Sequence, residues 1–132
     1  MAATMKIESV MTTALVTVRD TDSIGEAEAE LTLGSMRHVP VVDENRNLVG
    51  MLSARDVLAA LAKGKKRVRV GEYMSRDPIT VTPDTPVYQA IDLLLENRFG
   101  SLPVIGNDGH LMGIVTETDI LRAWREELMP SP

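Results

Sequence analysis

The chain repeats itself at a fixed interval of 63 residues, with no insertion between the copies. Gly50-Met51-Leu52-Ser53-Ala54-Arg55-Asp56-Val57-Leu58 returns as Gly113-Ile114-Val115-Thr116-Glu117-Thr118-Asp119-Ile120-Leu121. The same offset aligns Met11 with Met74, Thr17-Val18 with Thr80-Val81, Ala27 with Ala90, Leu31 with Leu94, and Pro40-Val41 with Pro103-Val104. Two copies of one unit therefore fill nearly the whole chain. A half of this length buries too little surface to be comfortably stable alone, so the copies are expected to share a core. Paired units related by a pseudo-two-fold build a cleft, and the polar residues repeated in both are its natural lining.

Each copy reads as a short β-branched stretch, an amphipathic helix, two strands joined by a tight turn, and a second helix. In the second copy Ile79-Thr80-Val81 reads as a strand, and Asp84-Thr85-Pro86 places a capping residue ahead of a proline at the first helical position. Val87, Ala90, Ile91, Leu94 and Leu95 follow at helical spacing, ending near Asn97 and Gly100. Gly106-Asn107-Asp108-Gly109 is a turn signal between Leu102–Ile105 and Leu111–Val115, which predicts a hairpin. The first copy repeats this with Val39–Val42, a turn from Asp43 to Asn47, and Leu48–Leu52. Proline entering a strand marks its first residue or an edge. The closing helices are expected over Ala54–Lys63 and Glu117–Leu128. The chain thus divides into a first repeat with its N-terminal segment (1–63), a basic connector (64–69), a second repeat (70–128) and a disordered tail (129–132).

Composition narrows the function. A net charge of −5 opposes general nucleic-acid binding, which needs positive charge to neutralise phosphates. The absence of cysteine excludes thiolate chemistry, and only four aromatic residues leave few stacking platforms. The N-terminus lacks the apolar core of a signal peptide and no apolar run would span a bilayer, so a cytoplasmic protein without membrane contact is expected. His38 and His110 are not equivalent in the repeat and form no ligand pattern, and neither a nucleophile elbow nor a phosphate-binding glycine loop is present. Neither an enzyme nor a metal site is expected.

The Gly-x-x-Ser/Thr-x-x-Asp ending, the earlier Met-Thr/Ser and the mid-unit Pro-Val, in the same order twice, resemble the cystathionine-β-synthase (CBS) domain; two in tandem resemble a Bateman module. The match covers Val10 to Leu58 and Tyr73 to Leu121. The resemblance implies an α/β fold of two β-α-β-β-α CBS units packed through their sheets with pseudo-two-fold symmetry. It also implies two clefts that hold adenosine compounds such as AMP, ADP, ATP or S-adenosylmethionine, with no catalytic cofactor and no chemistry done on the ligand. A homodimer and a regulated protein of unknown identity are the implied partners.

By that resemblance Asp56 and Asp119 accept hydrogen bonds from a ribose, and Ser53 and Thr116 face the ribose or phosphate. The family pattern crosses the copies. One cleft would join Thr116, Thr118 and Asp119 to Leu15 and Val16 and to Arg37 and His38; the other would join Ser53, Arg55 and Asp56 to Pro78 and Ile79. Arg37 and His38 match phosphate-contacting positions, where Gly100 and Ser101 supply no charge, so the Asp119 cleft is expected to be the better phosphate site. The plain alternative is that Ser/Thr-x-x-Asp is a capping box that would stabilise any helix start, that Arg37 is a solvated residue and that His38 is a strand-entry histidine. The leading expectation is a regulatory adenosine-ligand sensor. The rivals are a ligandless dimerisation or interaction module and, third, nucleic-acid binding through the connector, where five of residues 63–69 are Lys or Arg. A solvated linker accounts for that run more simply.

Overall fold

A computed structural model describes residues 5–34 and 36–130; of the tail expected over 129–132, residues 131–132 lie outside the described residues. The chain forms two compact units, and their boundaries are not those of the sequence repeat. One unit comprises Val16–Pro78 with Gly109–Leu111, and the other Met1–Leu15, Ile79–Asp108 and Met112–Pro132.

The first of these carries a four-stranded sheet in the order β1 (Val18–Arg19), β2 (His38–Val42), β3 (Leu48–Ser53) and β4 (Ser75–Arg76). β1 lies parallel to β2 at Val18↔Val41 and Arg19↔Val42, and β2 and β3 form the antiparallel hairpin. Pro40 sits inside β2 and not at its start. It is tolerated because β1 reaches only Val41 and Val42, so the proline, which has no N–H, lies beyond the end of that pairing. Helix α1 (Ile24–Gly34) buries Ile24, Ala27 and Leu31, spaced to fall on one face, and α2 (Ala54–Ala62) buries Val57 and Ala60. These residues join Val39, Val41 and Leu52 in one cluster.

The second unit repeats the plan with α3 (Val87–Asn97), β5 (Ser101–Ile105), β6 (Leu111–Thr116) and α4 (Glu117–Leu128) around Val81, Val87, Ala90, Leu94, Leu102, Val104, Val115 and Ile120. The strand expected over Ile79–Val81 shrinks to a single parallel bridge, Val81↔Val104. Pairing stops there because the next N–H, of Thr82, turns to the Thr85 hydroxyl at 3.0 Å, and Pro83 has no N–H to offer. Pro86 is the residue before α3, with extended ψ of 140°, and not its first helical position; no side chain caps that helix.

Each unit is completed by the segment that precedes the other repeat. Ile7, in a short 3₁₀ turn (Ile7–Ser9), is fully buried among the second repeat's core residues, and Val70, in the matching turn (Val70–Glu72), is fully buried among the first repeat's. The backbone contacts match at the 63-residue offset: Ile7 N–H to Thr85 O mirrors Val70 N–H to Asp22 O, and Glu8 N–H to Pro83 O mirrors Gly71 N–H to Asp20 O. β4 adds to β3 at Met51↔Ser75, as Thr12 bridges to Ile114. The motif glycines permit this docking. A Cβ on Gly50 would stand 2.7 Å from the Ser75 carbonyl oxygen and from the Met74 sulfur, and one on Gly113 would stand 2.9 Å from the Thr12 carbonyl oxygen and 3.0 Å from the Met11 sulfur. The buried apolar residues accordingly form two clusters, where one shared core was expected.

Candidate functional site

The Ser53–Asp56 segment opens α2. Ser53 is the N-cap: its Oγ accepts from the Asp56 N–H at 3.0 Å, and Asp56 Oδ2 accepts from the Ser53 N–H at 3.1 Å. The next donor, Ala54 N–H, is taken by the Arg37 carbonyl at 2.7 Å, and His38 pairs with Ser53 across the hairpin. Arg37 and His38, both exposed, therefore stand beside the Asp56 capping box within one unit. Arg55 is exposed on the first turn of α2. No hydrogen bond engages Asp56 Oδ1 among the described residues.

The Thr116–Asp119 segment opens α4 in the same way, with Asp119 N–H to Thr116 Oγ1 at 3.1 Å, Thr116 N–H to Asp119 Oδ2 at 2.9 Å, and Glu117 N–H to the Gly100 carbonyl at 3.1 Å. The environment of the carboxylate differs. Asp119 is 7% exposed, and its Oδ1 accepts from the Thr12 hydroxyl at 3.1 Å and lies 3.7 Å from Arg122. A buried carboxylate needs hydrogen-bond donors, and Asp119 finds them inside the protein. At the 63-residue offset Ser75 stands for Thr12, and Ala59 stands for Arg122. Ala59 has no donor to offer, and no bond from the Ser75 hydroxyl to Asp56 forms among the described residues, so Asp56 lacks the second half of this arrangement. Thr118 is exposed.

Both Ser/Thr-x-x-Asp segments are thus capping boxes, whatever else they do. Each hydroxyl spends a lone pair on the helix N–H and keeps its own proton to donate. Of the four expected apolar contacts, Val16 and Pro78 lie in the unit that holds Asp56, and Leu15 and Ile79 in the unit that holds Asp119. Val16 and Ile79, equivalent in the repeat, are 38% and 37% exposed. No cluster of His, Asp and Glu among the described residues could hold a metal ion.

A Ser-x-x-Glu pattern also stands at Ser23 and Glu26, where Glu26 N–H donates to Ser23 Oγ at 3.1 Å and the hydroxyl donates to Glu26 Oε1 at 3.2 Å, a hydroxyl cap without the reciprocal backbone bond of a capping box. It is structural, fixing the start of α1. The Thr12–Asp119 bond spans 107 positions and has no local signature.

A doubled β-α-β-β-α unit whose closing helices begin on Ser/Thr-x-x-Asp defines the class of paired regulatory domains suggested by the repeat. The family model for the CBS domain matches residues 7–63 and 70–126, and the chain belongs to that family. CBS domains are typically non-catalytic regulatory modules. An uncharacterised 17.7 kDa protein of Acidianus ambivalens is 34% identical over 118 residues, covering 89% of this chain and 72% of that protein. Inosine-5'-monophosphate dehydrogenase of Methanocaldococcus jannaschii is 34% identical over 120 residues, 91% of this chain, but the chain spans only 24% of that enzyme. Among solved structures, CBSX2 in complex with AMP is 31% identical with a TM-score of 0.86, covering 94% of this chain and 98% of that one; CBSX2 is a CBS-pair protein from Arabidopsis thaliana. The CBS domain pair of protein MJ0100, in complex with 5'-methylthioadenosine and S-adenosyl-L-methionine, is 30% identical with a TM-score of 0.83, covering 93% and 98%. No helix among the described residues is long and apolar enough to cross a membrane.

Proposed function

We propose that the protein is a regulatory sensor of adenosine compounds, acting in the cytoplasm on another protein, and that the ligand is held at the helix starts carrying Asp56 and Asp119. The observation that carries this reading is the unengaged Oδ1 of Asp56 beside the exposed Arg37 and His38. A carboxylate with one free oxygen accepts a ribose hydroxyl, and a guanidinium fork suits phosphate oxygens. Family membership, with AMP and S-adenosylmethionine bound in the two similar structures, supports the ligand class. The sequence favoured the Asp119 end. We reverse that order, because a ligand diol at Asp119 must displace the Thr12 hydroxyl and at Asp56 displaces nothing. Thr116, Thr118, Leu15 and Ile79 at one end, and Ser53, Arg55, Val16 and Pro78 at the other, are the further contacts we assign to bound ligand. Thermal unfolding with AMP, ADP, ATP and S-adenosylmethionine tests the reading, since a ligand of the folded state raises the midpoint by mass action; no shift with any of the four would refute it.

A second reading, a dimerisation module, is favoured by the surface of α3 and α4, where Tyr88, Leu95, Leu121 and Leu128 are 56%, 72%, 68% and 76% exposed. We propose a homodimer through these helices. Sedimentation of Leu121→Lys should then give a monomer where the unchanged protein gives a dimer.

A further inference from the structure

The basic connector is not a free linker. Its backbone is strapped along the start of α1, with Ile24 N–H to Val68 O and Gly25 N–H to Lys66 O both at 2.9 Å, and an antiparallel bridge between Ser23 and Arg69. Val70 is fully buried and anchors its end. The Lys66 side chain lies over Gly25, where a Cβ would stand 2.9 Å from it. The strap presents Arg67 and Arg69 to an open cavity of about 560 Å³, which Arg76 of β4 also lines. This is within the range that holds small molecules. Arg76 is held in place by donating to the Gly71 carbonyl at 3.1 Å. None of the three arginines forms an ion pair among the described residues, although Asp20 and Glu72 line the same cavity. Three guanidiniums on a fixed backbone, unpaired with those carboxylates among the described residues, are available to an external anion.

We propose that this cavity is a second binding site, distinct from the helix starts, for the phosphate end of a small phosphorylated, hydroxyl-bearing molecule. Asp20 and Glu72 decide the class. They repel a continuous polyanion such as a nucleic acid strand, but accept hydrogen bonds from the hydroxyls of a compact phosphate ester, whose phosphate reaches the arginines.

Inorganic pyrophosphate is the probe, titrated calorimetrically into the full chain and mapped by backbone amide shifts. Binding with shifts centred on residues 67–72 and 20–21 is expected. Arg67→Gln should weaken it about tenfold or more, the value of one charge-assisted hydrogen bond. The exposed Arg67 side chain makes no hydrogen bond or ion pair among the described residues, so that variant is expected to fold as the parent does, and its titration with unphosphorylated adenosine should be unchanged, which separates this site from the one at Asp56. The proposal is overturned if pyrophosphate does not bind, if the shifts fall on residues 53–56 or 116–119 instead, or if Arg67→Gln and Arg69→Gln bind it as the parent does.

Discussion

Removing one of two equivalent aspartates should cost far more than removing the other. Asp119→Ala deletes the acceptor for the Thr116 N–H, the acceptor for the Thr12 hydroxyl and the partner of Arg122. The cap is worth about 1 kcal/mol, and the part-buried bond from Thr12 to a charged acceptor about 1.5–2 kcal/mol. The Arg122 pair adds under about 0.5 kcal/mol, because the arginine side chain is 65% exposed and the pair is screened by water. The total is about 3 kcal/mol. Asp56→Ala deletes the acceptor for the Ser53 N–H alone, at about 1 kcal/mol. The gap of roughly 2 kcal/mol is large against a domain's net stability and corresponds to about 8 °C in Tm. Urea unfolding of both variants measures it. A double-mutant cycle gives an internal check: Thr12→Val should cost about 1.5 kcal/mol in the parent and almost nothing in the Asp119→Ala background. Equal losses for the two aspartates, or additive losses for Thr12 and Asp119, would refute the reasoning.

Gly113→Ala drives a Cβ to 2.9 Å from the Thr12 carbonyl and must shift the docked segment, so a loss of about 2 kcal/mol is expected by chemical denaturation. Ile7→Ala empties a fully buried site in the second repeat's core and should cost about 3 kcal/mol in the same assay. Asp43 is held below the usual carboxylate range chiefly by the Asn47 N–H on Oδ1 at 2.9 Å, with burial opposing, then by the Asn45 N–H, the Asn47 side chain and the charge of His110. A depressed pKa stabilises the fold above the unfolded-state value, and that contribution is lost as pH falls through the lowered folded-state value. Acid titration of stability should therefore show a loss in that window that Asp43→Asn abolishes.

Much of the architecture is legible because the motif residues are the contacts themselves. The hairpins follow from turn residues between β-rich runs, and α4 begins and ends where its cap and apolar spacing place it, at Glu117 and Leu128. The 63-residue offset also aligns Ile7 with Val70, a pair of buried anchors visible to anyone extending the repeat toward the N-terminus. What they anchor to is not legible: the closeness of Gly50 to Met74 depends on which edge of β3 a later segment joins, and no local pattern encodes that. At the candidate site, the capping boxes are written in Ser53-x-x-Asp56 and Thr116-x-x-Asp119. The unequal availability of their carboxylates is not, since it rests on Thr12, remote in sequence, and on Arg122 where the other copy has Ala59. The connector's charge is plain in the sequence, while its attachment to α1 is backbone hydrogen bonding that side-chain identity does not reveal.

If Asp56 and Asp119 serve an adenosine ligand as well as their helices, at least one adenosine compound must bind the intact protein through them. Calorimetric titration of AMP, ADP, ATP and S-adenosylmethionine into the intact protein, Asp56→Ala and Asp119→Ala tests it most directly. Saturable heat is expected from at least one of the four, weakened about tenfold or more by Asp56→Ala, the loss expected for a hydrogen bond to a charged group. Absence of heat with all four ligands, or equal affinity in the parent and Asp56→Ala, would contradict it and leave the two boxes as helix caps alone.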